Sequence, residues 1–223
     1  LIESVFRRGD PFDSKSGAWA GASGTPRLRI NIADRVRHTR DPLVRALIDL
    51  LGMVGARRSL SEVIDLLSHE LIRKRFEISA DQVATLLDWS QEAGARWGSD
   101  SAHRERFDQP GSSRFTWRAA LDRMALGVTM SREAEPWMDL APFDRIEGQS
   151  VDLFANFDRF CERLFAVLDR LLAPRPLATW AADLEALARD LMDVDDAESW
   201  RGQRLTRAIA RLVEFGRIAD GED

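Results

Sequence analysis

The stretch Ser150-Val-Asp-Leu-Phe-Ala-Asn-Phe-Asp-Arg-Phe-Cys-Glu-Arg-Leu-Phe-Ala-Val-Leu-Asp-Arg-Leu-Leu172 decides the fold class. Leu153, Phe157, Phe160, Leu164, Leu168 and Leu171 recur every three or four positions, while Asp, Glu and Arg fill the opposite side. That period puts the apolar residues on one face of an α-helix, which needs neighbours to cover it. The run holds fewer than three heptads and lacks regular flanking charges, so it reads as the core helix of a bundle rather than an extended coiled coil.

Working outward, Pro174 and Pro176 end this helix. Two more amphipathic segments are expected after it, Leu177 to Met192 and Ala197 to Phe215. Upstream, Asp41-Pro42 offers an N-cap and a proline at the first helical position. Leu43, Leu47, Leu50 and Val54 then share a face, and Gly52 and Gly55 mark the end. Ser59 with Glu62 and Ser79 with Gln82 have capping-box spacing, predicting helices through Leu67 and Ala93. Residues Ser99 to Ser113 read as a loop. Thr116 to Met130 reads as a helix, with Leu121, Met124 and Val128 on one side. In the break from Glu133 to Gln149, Trp137, Leu140 and Phe143 are expected to tack the chain to the core.

The N-terminal part differs. Leu1 to Arg8 is amphipathic from its first residue, so the chain reads as a piece of something longer. Asp10 to Thr25 is rich in Gly, Ser, Ala and Asp and reads as a mobile loop carrying Trp19. Leu28, Ile30 and Ile32 alternate with polar residues, the pattern of one short strand. A lone strand must find hydrogen-bond partners elsewhere, in absent parts of a parent protein or in another copy. The expected class is therefore mainly α, with one orphan strand near the N-terminus.

Composition narrows the functions. Across 223 residues, 44% hydrophobic and 31% charged, the balance is globular. No stretch approaches the roughly 20 apolar residues of a membrane helix, and no membrane partner is expected; the reading is cytoplasmic. Cys161 is the only cysteine and falls on the apolar side of the long helix, where a small buried thiol is expected. His38, His69 and His103 are scattered without metal-ligand spacing and read as surface or capping residues. Gly21-Ala-Ser-Gly-Thr25 lacks the lysine of a phosphate-binding loop. The run Asp193 to Glu198 lacks the alternating oxygens of a calcium loop and suits a helix start. No catalytic residue, metal site or cofactor is expected, and the chain reads as a non-enzyme.

Charge is unevenly spread under a net −5. Arg27 to Arg75 carries eleven basic and six acidic residues, and Glu133 to Asp223 eleven basic and twenty acidic. Lys15 and Lys74 are the only lysines beside thirty arginines.

Three blocks in order carry a resemblance. The first is Leu1-Ile-Glu-Ser-Val-Phe with Ile30-Asn-Ile-Ala-Asp-Arg35 and Pro42-Leu-Val. The second is Arg75-Phe-Glu-Ile-Ser, Trp89 and Gly94-Ala-Arg-Trp-Gly98. The third is Thr116-Trp-Arg with Leu121-Asp-Arg-Met-Ala-Leu-Gly127. Together they resemble the RecC family, the gamma subunits of exodeoxyribonuclease V. The resemblance implies an internal fragment. Residues 1–40 would be the end of a RecA-like motor domain with a flexible loop at 10–25. Residues 41–223 would be a helical accessory subdomain like that of superfamily 1 helicases. It also implies RecB-like and RecD-like partner subunits of an ATP-dependent helicase and exonuclease, a noncatalytic bracing role in double-strand-break repair, and single-stranded or forked DNA as the ligand. The alternative is an independent helical protein-interaction module with no role on DNA.

From side-chain chemistry, Arg96, Trp97 and Arg118 are candidate DNA contacts, since an arginine beside an indole can grip phosphate and stack a base. The competing reading has Trp97 in the core and Arg96 paired with an acid. Arg35, Arg37 and Arg40 form a second candidate phosphate site.

Overall fold

The computed structural model describes residues 12–13, 18–19, 42–109, 111–130, 141–148, 150–173, 177–194 and 203, without the side chains of 12, 13, 18, 19, 177, 178, 180 and 181. The chain divides into two compact units, Leu1–Val36 and Arg37–Asp223. In the first, β1 (Phe12–Asp13) pairs antiparallel with β2 (Ala18–Trp19), Phe12 opposite Trp19 and Asp13 opposite Ala18. The segment expected as an unstructured loop thus carries a short ladder, too brief for a two-residue alternation to register in the sequence. The strand expected around Leu28 to Ile32 lies outside the described residues.

The second unit is helical. Its described helices are α1 (Pro42–Gly52), α2 (Leu60–Leu67), α3 (Glu70–Arg75), α4 (Gln82–Ala93), α5 (Ser101–Glu105), α6 (Trp117–Thr129), α7 (Ser150–Leu171) and α8 (Leu177–Leu191). The mainly α expectation holds. The periodic segments become helices close to their expected bounds. Two helices of five and six residues, α5 and α3, are additions: they are too short to show a helical period, and α5 falls in the stretch Ser99 to Ser113 expected as loop. The helix expected from Ala197 to Phe215 lies outside the described residues apart from helical Gln203.

Capping explains several boundaries. Ser59 and Glu62 form a complete capping box on α2, each side chain bonded to the other's backbone N–H. At α4 only half the box forms: the Ser79 N–H donates to Gln82 Oε1 at 2.9 Å, while the N-cap position is Asp81, two residues later. The Ser79 hydroxyl holds the Asp81 carboxyl below its usual range, with help from a backbone hydrogen bond.

The core is built around α7. Phe157, Phe160, Cys161, Leu164 and Leu168 have no exposed surface, and Leu153 and Leu171 are buried. Helices α6 and α8 pack on α7, α4 packs on α2 and α6, and α1 packs on α2 and α3. Phe160 meets Phe76 edge-on at 5.3 Å, and Phe157 meets Trp117 at 6.2 Å. Each such side chain contributes about 1.5–3 kcal/mol on burial. Phe143 is buried as expected and is joined by Ile146; Trp137 and Leu140 lie outside the described residues.

Candidate nucleic-acid interface

Helix α4 ends at Gly94, whose φ of 96° lies in the left-handed region that glycine adopts without strain. Beyond it, backbone hydrogen bonds lace the chain to two other segments. The Arg96 N–H donates to Phe115 O at 3.0 Å, and Arg96 O accepts from Leu60 at 2.9 Å. Gly98 donates to Arg57 O, Trp117 to Gly98 O and Arg118 to Ser99 O, each at 2.9 Å. No sheet results, yet these backbone groups find partners in one another. The blocks Gly94–Gly98 and Thr116–Arg118, separate in sequence, form one hub.

Side chains lock it. Trp117 has no exposed surface, and its indole Nε1 donates to Arg58 O at 2.9 Å. Arg58, 1% exposed, donates to Ser99 Oγ at 2.8 Å and to Asp169 Oδ1 on α7 at 2.7 Å. Arg106 reaches the same oxygen at 3.0 Å. Burial pushes the Asp169 carboxyl up, but bonds and charge from Arg58 and Arg106 outweigh it and hold the group below its ordinary value.

On α5, Asp100 caps the helix by accepting from the His103 N–H at 2.7 Å. His103 is buried, contrary to its surface or capping expectation. Burial, with repulsion from Arg58 and Arg106, pushes its pKa below the ordinary value, against a smaller upward pull from Asp169 and Asp100. Its sequence neighbourhood is polar, and only the return of α5 onto the hub covers it. Arg104, also buried, donates to Trp97 O, Ser112 O and Arg114 O, fastening one loop to the other. Its guanidinium lies 4.7 Å from the centroid of the Trp97 ring, and that of exposed Arg57 at 5.5 Å. Phe107 meets the indole edge-on at 5.9 Å.

The candidate residues fall as follows. Trp97 is half-buried between arginines rather than in the core. Arg96 is exposed and donates to Gln91 O at 3.3 Å and Ala95 O at 3.1 Å, so the expected acid pairing is replaced by main-chain carbonyls at the end of α4. Arg118 is exposed in the first turn of α6 and pairs with Asp122 at 3.0 Å. Arg35, Arg37 and Arg40 lie outside the described residues. Arg57, Arg58, Arg104 and Arg106 were missed as hub members, because a buried or stacked arginine leaves no periodic signal.

Cys161 is buried, and desolvation pushes its thiol well above the ordinary value. No cluster of His, Cys, Asp or Glu that could hold a metal occurs among the described residues. No helix among them is long and apolar enough to cross a membrane.

Comparison with known proteins supplies the family. Residues 40–223 match the model of the RecBCD enzyme subunit RecC fourth domain. RecBCD enzyme subunit RecC of Mycolicibacterium smegmatis is 33% identical over 219 residues, 96% of this chain and 20% of that protein. The subunit of the same name from Mycobacterium tuberculosis H37Rv is 33% identical over 190 residues, 84% of this chain and 17% of the relative. That of Escherichia coli K12 is 29% identical over 186 residues, 82% of this chain and 16% of the relative. The chain thus spans about a fifth or less of the length of these relatives, and by the extent of the match it belongs to the RecC family.

Proposed function

We propose that this chain is a noncatalytic scaffold and DNA-channel segment of a RecBCD-type helicase-nuclease subunit, working in the cytoplasm with RecB-like and RecD-like subunits on single-stranded or forked DNA. The observation that carries the reading is the match of residues 40–223 to the RecC fourth domain. The division into units near residue 36 is in keeping with 1–40 as the end of a motor-like domain and 41–223 as its helical accessory subdomain. The channel role draws support from the hub. Three chain segments are pinned by backbone bonds and by the ion pair of buried Arg58 with Asp169, exposed Arg57 lies over the half-buried Trp97, and Arg96 and Arg118 are exposed on the same segments. A rigid frame bearing exposed guanidiniums suits phosphate contacts that track a strand without reading its sequence.

A second reading, docking of a basic protein segment, has one specific observation behind it. Between α1, α2 and the start of α3 lies a groove of about 930 Å³ lined by Ile48, Met53 and Leu66 together with Asp49, Asp65 and Glu70.

Titration of labelled single-stranded DNA with the complete subunit, across a salt series, tests the two. Replacing Arg96 and Arg118 by Gln, and separately Arg35, Arg37 and Arg40, should weaken binding and lower the salt slope by about 1 for each phosphate no longer neutralised. Unchanged affinity and slope in both variants would defeat the channel reading and leave the groove.

A further inference from the structure

Phe115 is 58% exposed, the largest exposure among the large apolar side chains described, and its backbone sits at φ 63°. Both features cost stability: the ring forgoes most of its burial, and a non-glycine residue in the left-handed region is strained. The strain is imposed by the hub, since Phe115 O accepts from Arg96 while Thr116, the next residue, caps α6 through its hydroxyl at 3.2 Å from the Ala119 N–H. An edge of the ring lies at Gly94, with Cδ1 3.5 Å from where a Cβ on that glycine would stand, and more than half of the residue stays exposed.

Three arginines lie close to this residue in space or along the chain. Arg123 Nη1 lies 3.6 Å from the same point over Gly94 and donates to Ala93 O at 2.7 Å. Arg96 donates from its side chain to Gln91 O and Ala95 O, which flank that glycine in the chain, and from its backbone N–H to Phe115 O. Arg114, the preceding residue, is exposed. No carboxylate is paired with Arg96, Arg114 or Arg123 among the described residues, whereas Arg118, Arg145 and Arg106 have acidic partners. An exposed aromatic ring beside arginines that have no carboxylate partner is complementary to a ligand that is itself flat, apolar on its faces and anionic along its length.

We propose that Phe115 is a stacking platform for one base of a single-stranded nucleic acid, with Arg96, Arg114 and Arg123 holding the adjoining phosphates. The assignment rests on the DNA-channel reading and adds to it a site distinct from Trp97, whose ring is already flanked by Arg57 and Arg104. An unstacked base takes the exposed ring of Phe115, and duplex DNA, with its bases stacked on one another, does not.

The test uses the complete subunit and two ligands of equal length, an oligothymidylate and an abasic oligomer carrying the same phosphates. Phe115→Ala should weaken oligothymidylate binding roughly tenfold and leave the abasic oligomer unaffected. Phe115→Trp should restore the difference. Phe115→Gly, which suits the positive φ, should repeat the alanine result with the fold intact. The pair Arg96→Gln with Arg114→Gln should weaken both ligands and flatten the salt dependence. Equal effects of Phe115→Ala on both ligands, or none, would overturn the stacking assignment. Loss of assembly with the other subunits while oligothymidylate binding persists would overturn it as well, and would mark the face as a protein contact. If the arginine pair matters and Phe115 does not, the channel reading survives without this site; if neither matters, nor Arg118, nor the Arg35, Arg37 and Arg40 variant, both fail.

Discussion

Arg58 and Asp169, 111 residues apart, meet at 2.7 Å, with the arginine 1% exposed and the carboxylate 43% exposed. The pair fastens the loop before α2 to the C-terminal end of α7, and so ties the hub to the central core helix. Asp169→Asn is expected to cost about 1–3 kcal/mol, because it leaves a buried guanidinium without its anion while solvent screens part of the loss. Arg106→Gln removes the exposed partner of the same oxygen and should cost less than about 1 kcal/mol. Urea denaturation of both variants checks the order; equal costs would mean that Arg58 does not depend on the pair.

Gly127 lies inside α6, where alanine ordinarily stabilises a helix by about 1 kcal/mol. Here a Cβ would land on the carbonyl of Phe143, whose backbone crosses the helix at that point and whose N–H donates to Arg123 O at 2.9 Å. Gly127→Ala should therefore destabilise by about 1–3 kcal/mol, or detach the 141–148 segment. Thermal unfolding reads the first outcome and limited proteolysis near Phe143 the second. A raised melting temperature with unchanged proteolysis would contradict the crossing.

His103 is held neutral by burial and by the charges of Arg58 and Arg106. Its folded-state pKa lies below the ordinary 6.5, so the unfolded chain takes up a proton first as pH falls. Its contribution to stability is complete above 6.5 and is lost as pH drops through that value toward the folded pKa. Asp169, also depressed, adds a loss at lower pH, across the carboxylate range. His103→Gln should flatten the stability profile between neutral and mildly acid pH and leave the steeper acid limb in place. An unchanged profile from denaturant midpoints would show that the imidazole is not desolvated.

Phe115→Gly should raise stability by up to about 1 kcal/mol, since glycine relaxes the positive φ and little ring burial is lost. Denaturant midpoints decide it. A loss above about 1 kcal/mol would mean that the ring carries packing its exposure conceals.

Much of the fold was legible in local patterns. The apolar period of 150–172 corresponds to α7, Ser59 with Glu62 to the start of α2, and the helix expected over 116–130 to α6. Each is set by residues within one or two helical turns, which is why a single sequence suffices. Half of the second capping box failed because Asp81, two residues along, takes the N-cap position that Ser79 was expected to hold.

The candidate site was only half legible. Arg96, Trp97 and Arg118 belong to recognisable blocks, and those blocks converge; Arg57, Arg58, Arg104 and Phe115 gave no sign. Whether an arginine is buried under carbonyl and carboxylate oxygens or exposed on a surface depends on which distant chain segments return to it. The sequence by itself determined the longer helices and their buried faces, because these depend on neighbours three or four residues away. Only the tertiary structure decided that three loops would be laced into one hub, that His103 would be buried, and that Phe115 would stay exposed. These outcomes depend on hydrogen bonds and desolvation between residues tens of positions apart, for which the chain carries no local periodicity.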